Sequence, residues 1–491
     1  MIKIAWLRFV IVAAALLGIQ TATAKTVNTV YSKKNVDYTK DTFLIIGAGA
    51  SGLTAARTLL SAKVPSQNII IVESEKNAGG KVSSTIVDGL PFEMGAQMII
   101  PVNYKVIENL RDEFGMKTTP LQRGFFFDIE NGEVTPTLTK DEVPKFIEQR
   151  DRYLKYYSEV WHQNSPDSPY RLLDADGLIK VHPDLDKSWP QFVKDNDFEI
   201  LEKVFISLLG GSGFEYDDFN PRHAARIVRA LRPDLIDNLL VKGRPVEIFE
   251  GEGFQGLWKA VANKLALAGV QIRYNHRVER IIPKSSGGQT DVQVRSGDVR
   301  KILKTDHVIY TANTKYLPQM VKKSKQLGYE VFKNATDSDY RAFLVKVAGI
   351  SSLNAKSGSI AIKPYIQPIT DSQGQSAFII GKPVLLVKPY VQSDIVVIYA
   401  HGSKSISNVE IEKEISLMFD RLGGIATILM SSNWAYRPKF RGNELSSIKT
   451  AMKLQGRGGI WFMGEIFSFG GVQEVYENAE AFTTMLLSNK L

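Results

Sequence analysis

Residues 42–46 read TFLII and lead straight into Gly47-Ala48-Gly49-Ala50-Ser51-Gly52. Few local patterns restrict a fold more. The β-branched, apolar run is a short strand buried on both faces. Residues 53–62 (LTAARTLLSA) then repeat with a helical period, placing Leu53, Ala56, Leu59 and Leu60 on one face. A second apolar strand, residues 68–72 (NIIIV), ends in Glu73. Strand, glycine turn, helix, strand and acid stand in register, as in a βαβ unit that binds a dinucleotide. Gly47 permits the tight turn off the strand. Gly49 lets the main chain approach a pyrophosphate, and Gly52 lets the helix pack on the strand. The free N–H groups at the helix start, near Ser51, attract phosphate. Glu73 accepts bonds from ribose hydroxyls and disfavours a 2′-phosphate. The fold class that follows is α/β with a Rossmann-like parallel sheet.

Composition narrows the chemistry. The 491 residues contain no cysteine, which excludes disulfides, zinc–thiolate sites, iron–sulfur clusters and any cofactor tethered through sulfur. The six histidines show no metal-ligand spacing, so no metal site is expected. No G-x-S-x-G elbow and no Walker G-K-[ST] occurs. The net charge of +9 has no dense Lys/Arg tract behind it, so nucleic acid is not an expected partner.

The N-terminus carries its own signal. Lys3 and Arg8 precede the apolar run at 9–19, and Ala22-Thr23-Ala24 forms a small-x-small site. That is the pattern of a secretory signal peptide over residues 1–24. Eleven apolar residues are too few to cross a bilayer, which needs about 20. Export to a periplasm or to the medium is therefore expected, with residues 25–39 as a flexible lead-in and no stable membrane insertion after cleavage. A retained anchor is the alternative.

Further motifs follow in order. Gly79-Gly80-Lys81 comes shortly after Glu73, and Glu93-Met94-Gly95-Ala96 a little later. Gly251-Glu252-Gly253-Phe254 opens a helix, followed by a strand at 269–274 and by Val278-Glu279-Arg280-Ile281. Asp306-His307-Val308-Ile309-Tyr310-Thr311-Ala312 comes next. Near the C-terminus, residues 458–463 form a strand ending in Gly464-Glu465, and Gly470-Gly471-Val472 opens the last helix. This ordered set resembles the flavin-containing amine oxidase superfamily, which includes monoamine and polyamine oxidases and phytoene desaturases.

The resemblance implies a non-covalently bound FAD in a discontinuous, glutathione reductase-like domain built from 40–120, 245–318 and 440–491. The insertions 121–244 and 319–439 would form an α+β substrate domain. It also implies a set of cofactor positions. Gly47, Gly49, Ser51, Gly52 and Glu73 would serve the ADP part, Val278 its adenine end, and Gly80, Lys81, Gly95 and Ala96 would also bind the cofactor. Gly464, Glu465, Val472 and Gln473 would serve the ribityl chain and the flavin. Lys81 stands where the family usually has arginine, and a lysine gives a point charge instead of a bidentate fork.

Three catalytic candidates arise. Lys346 is a charge inside an apolar strand, and many members keep a lysine there to hold a water near the flavin; a solvent-facing lysine is the plain alternative. Trp434 and Tyr436 occupy the place of the aromatic wall, with core packing as their alternative. The second tyrosine of an amine cage has no counterpart in Arg441-Gly442-Asn443-Glu444. The expected function is an FAD-dependent oxidoreductase taking a hydride from a C–N or C–C bond of a small organic substrate, with O2 or another acceptor reoxidising the flavin. A desaturase or dehydrogenase of an apolar substrate, a non-catalytic FAD scaffold and an NAD-dependent enzyme are the alternatives.

Overall fold

A computed structural model describes residues 38–488, apart from 101–103, 122–125, 129–132, 136–137, 163–181, 210–223, positions scattered between 225 and 243, 285–287, 350–357, 363–365, 371–375, 381–383, 388–393, 403–405, 422, 442–443 and 469. Residues 1–24, expected as a signal peptide, and nearly all of residues 25–39 lie outside the described residues. Residues Asp37–Leu491 pack as one compact unit.

The apolar runs become one five-stranded parallel sheet, in the order Ile460–Phe462, His307–Tyr310, Phe43–Ile46, Ile69–Val72, Gln271–Arg273. All four residues of the central strand are buried, as a sheet covered on both faces requires. Helix Ala50–Ser61 packs against the C-terminal helix Val472–Ser488, which buries Val472, Tyr476, Ala479, Phe482 and Leu486 at helical spacing. Strands from both ends of the chain thus share one sheet, so the sheet is Rossmann-like and discontinuous in sequence.

A second, antiparallel sheet carries the long strands Ile395–Gly402, Ala335–Ala348 and Ile425–Phe440 side by side. Its core joins Tyr340, Ala342, Leu344, Val397 and Tyr399 to Phe92 of the hairpin Ser84–Val87/Leu90–Glu93 and to Met94 just after it. Strand Thr118–Leu121 pairs antiparallel with Val246–Phe249, bringing together parts of the chain far apart in sequence. Helices Glu142–His162 and Glu199–Leu209 pack together. Among the described residues no helix is long and apolar enough to cross a membrane.

Candidate active site

A cavity of about 790 Å³ opens beyond the ends of the parallel strands. Its near wall is bare backbone. Gly47, at φ +109°, donates its N–H to the Val72 carbonyl at 2.8 Å, which turns the chain off the first strand. A methyl at Gly52 would lie 1.9 Å from the Gly47 carbonyl oxygen, so only hydrogen fits between helix and loop. Gly49 bridges to Gly79, and the Gly79 N–H reaches the Ala48 carbonyl at 3.0 Å. Gly49, Gly79 and Gly80 together line the cavity where helix Ala50–Ser61 begins, a cradle suited to a pyrophosphate.

One end of the cavity is set by Glu73. Its carboxylate is buried and accepts from the N–H groups of Ala48 at 2.7 Å and Glu75 at 2.9 Å. His276 and Val278 border the same cavity, and the His276 N–H bonds the Glu73 carbonyl at 2.7 Å. His276 Nδ1 lies 2.7 Å from the Tyr274 carbonyl. A carbonyl only accepts, so Nδ1 carries a hydrogen.

The other end is set by Glu465. One carboxylate oxygen pairs with the Lys81 ammonium, and the other accepts the Arg437 N–H at 2.8 Å. Arg437 has φ +49°, unusual for a side-chain-bearing residue, and its guanidinium lies 4.8 Å from the Tyr436 ring centroid. A methyl at Gly95 would lie 1.9 Å from the Lys81 carbonyl, which holds the Gly95-Ala96 turn tight against the Lys81 backbone. Aromatic rings close this end. The Trp434 indole donates to the Met94 carbonyl at 2.7 Å. Tyr436 leans on Tyr340 at 4.8 Å, and Tyr340 stacks on Tyr399 at 5.5 Å. The Tyr399 hydroxyl donates to the Glu93 carbonyl at 2.6 Å, and Gln97 donates to the Tyr340 hydroxyl at 3.2 Å. Burial, then the charge of Glu474, hold the Tyr104 phenol well above its ordinary range.

The structure gathers most of the expected residues around this one space: Gly47, Gly49, Ser51, Glu73, Gly80, Lys81, Gly95, Ala96, Val278, Glu465, Val472, Trp434 and Tyr436 all border it. Gly52 and Gly464 stand one layer behind. A methyl at Gly464, which has φ +112°, would meet Ser51 Oγ at 3.1 Å. Two further expected residues do not border the cavity. Gln473 sits one position, about 100°, round the helix from Val472. Its side chain accepts from the Val106 and Ile107 N–H groups at 3.0 and 3.3 Å, so it caps helix Lys105–Glu113 instead of facing the cavity. Lys346 is also not at the site. It is exposed and lies 3.4 Å from Asp394. Cavity-lining Tyr340 is on the same strand, six residues or about 20 Å away. Tyr340, Tyr104, Gln97, Arg232, His276 and Glu474 line the cavity without having been singled out beforehand. None of them carries a local signal in the sequence. Among the described residues no cluster of side chains could hold a metal ion.

A Rossmann-like sheet, a glycine cradle between two carboxylates and an aromatic far wall define the dinucleotide-binding oxidoreductase fold. The chain matches the flavin containing amine oxidoreductase family over residues 50–342. It belongs to that family, whose cofactor is a flavin. It is 37% identical to putrescine oxidase of Kocuria rosea over 75 residues, 15% of each chain. It is 24% identical to 4,4'-diapolycopene oxygenase of Methylomonas sp over 319 residues, 59% of each. The chain thus spans less than two thirds of the length of these curated relatives. In fold it is similar to the CLA-producing fatty acid isomerase from P. acnes, with TM-score 0.69 and 19% identity over 93% of this chain and 100% of that one.

Proposed function

We propose that the protein is an FAD-dependent oxidoreductase acting on a small organic substrate. One observation carries the reading: Glu73 and Glu465, from opposite parts of the chain, border a single cavity floored by the glycine cradle. The residues fit FAD. Glu73 would take the ribose hydroxyls, the bare backbone of Gly49 and Gly80 the pyrophosphate, and Glu465 the ribityl chain. Lys81 would partly neutralise the pyrophosphate while holding Glu465 in place. Bound flavin supplies the hydride acceptor. The protein's part is to orient the substrate and keep water out. Trp434, Tyr340 and Tyr436 present flat faces that bind either an ammonium or an apolar chain. An amine is the first substrate class, by analogy with the putrescine oxidase relative. The apolar character of that wall, together with the diapolycopene oxygenase relative, favours dehydrogenation of an apolar substrate as the second reading.

Non-covalent binding is part of this proposal; the chain has no cysteine for a thioether tether. Reoxidation falls to O2 or another acceptor. The N-terminal pattern supports export, with Lys25 as the mature N-terminus; sequencing the secreted protein tests this. To test the activity, the purified protein is loaded with FAD and mixed anaerobically with amines, amino acids, polyamines and long-chain polyenes. Flavin bleaching by one class is expected. A protein that cannot be loaded with FAD contradicts the reading, and a loaded protein bleached by none of them reduces it to an FAD-binding scaffold.

A further inference from the structure

We infer that Glu474 sets the reduction potential of the bound flavin, by holding a carboxylate against the start of the C-terminal helix. The inference rests on FAD being the cofactor and goes on to ask what this chain does to it.

The cavity gives the cofactor a direction. Glu73 fixes the ribose end and the Gly47–Gly52 loop the pyrophosphate, so by covalent order the redox-active ring lies at the opposite end. That end is walled by Lys81, Glu465, Trp434, Tyr436 and residues 470–472 and 474–475. Helix Val472–Ser488 is 17 residues long and begins on this wall. Its start carries partial positive charge. Two-electron reduction leaves negative charge on the ring, so a bare helix start would favour the reduced form.

Here the helix start is not bare. Glu474 is the third helical residue, and its side chain turns back over the start. A methyl at Gly471 would come within 2.1 Å of a Glu474 carboxylate oxygen and 3.3 Å of the Tyr104 hydroxyl. Glycine at 471 is what leaves room for the carboxylate. The same oxygen is shielded from water. Charges in such a place are screened far less than on the surface. Burial, then Glu474, hold the neighbouring Tyr104 phenol well above its ordinary range. A carboxylate so placed offsets the helix start and opposes charge build-up on the ring. Positive groups also face this end. Lys81 is tied to Glu465, the Arg437 guanidinium lies over Tyr436, and Arg232 borders the cavity. Glu474 therefore reduces a net attraction.

Glu477 is a built-in control. It lies one turn further along the same helix, accepts from Gln473 at 2.6 Å, and does not border the cavity.

The test is the midpoint potential of the full-length FAD-loaded protein, with sulfite affinity as a second readout that reports how well negative charge on the ring is tolerated. Glu474→Gln should favour the reduced form about tenfold, a rise of about 30 mV for a two-electron couple. Sulfite should bind roughly tenfold more tightly. Glu474→Asp should move both readouts the same way by less, and Glu477→Gln should move neither. A potential in Glu474→Gln equal to or below that of the unchanged protein overturns the inference. So does loss of FAD from both Glu474 variants, which would make the residue a binding group. If the unchanged protein fails to bind FAD, the parent reading has failed instead.

Discussion

The two ends of the cavity are built by different means. At the nucleotide end, backbone meets backbone: a methyl at Gly52 would lie 1.9 Å from the Gly47 carbonyl, and Gly49 touches Gly79 with nothing between. At the far end, side chains from three long strands and a hairpin meet through the Tyr340–Tyr436 and Tyr340–Tyr399 ring contacts and the Trp434–Met94 bond. Chain geometry allows few solutions at the first end. The second is a packed aromatic surface, and many residue sets could form one. A family can therefore keep one cofactor while its substrates vary.

Four substitutions probe that contrast, in falling order of effect. Gly52→Val should be the most severe. The added carbons meet the Gly47 carbonyl, so helix and loop must separate. Overpacking of this kind costs about 3 kcal/mol or more. The purified variant should be colourless and melt well below the unchanged protein, whereas a yellow, equally stable variant would break the comparison at its rigid end.

Glu93 links the two ends, and its effect is read through pH. Its carboxylate accepts from Ser84 Oγ at 2.6 Å and from the Phe254 N–H at 2.7 Å, where helix Gly253–Leu267 begins. Burial pushes its pKa up to about 8. The folded form therefore holds a proton that the unfolded form releases near pH 4.5. Stability from this group is complete below about pH 4.5 and is lost as pH rises through about 8. Denaturant titrations should show the unchanged protein weaker at pH 9 than at pH 6 by a few kcal/mol. Glu93→Gln should flatten that dependence, and an equal slope in both would remove the proposed proton.

Tyr399→Phe removes only the hydroxyl that donates to the Glu93 carbonyl. It should cost about 1–2 kcal/mol in stability and leave FAD affinity unchanged. A large loss of FAD would show the two ends to be more tightly coupled than described. Lys346→Met should do least. Its exposed pair with Asp394 contributes under about 1 kcal/mol, and flavin reduction by substrate should be unaffected. A tenfold slower reduction would return Lys346 to the site.

The same contrast explains what could be read from the residues alone. The glycines and Glu73 were legible because their roles are local: a tight turn, a close approach, an acid at a strand end. The parallel strands were legible as short runs of Ile, Leu and Val. Lys346 misled because a charge inside an apolar strand does not show where along the strand the site lies. Tyr340 was missed because its place depends on the register Tyr340 opposite Trp434, set by residues far apart in the chain. Gln473 and Glu474 are adjacent, yet one caps another helix and the other turns back over its own. Helical period does not distinguish those outcomes; the packing of Val106 and the space left by Gly471 do.

The central claim is that one nucleotide spans the cavity from Glu73 to Glu465. A crystal structure of the FAD-loaded protein tests it most directly. The account predicts continuous density for one FAD, its adenosine ribose on the Glu73 carboxylate and its ribityl chain on that of Glu465. Density touching only one of the two carboxylates would contradict it.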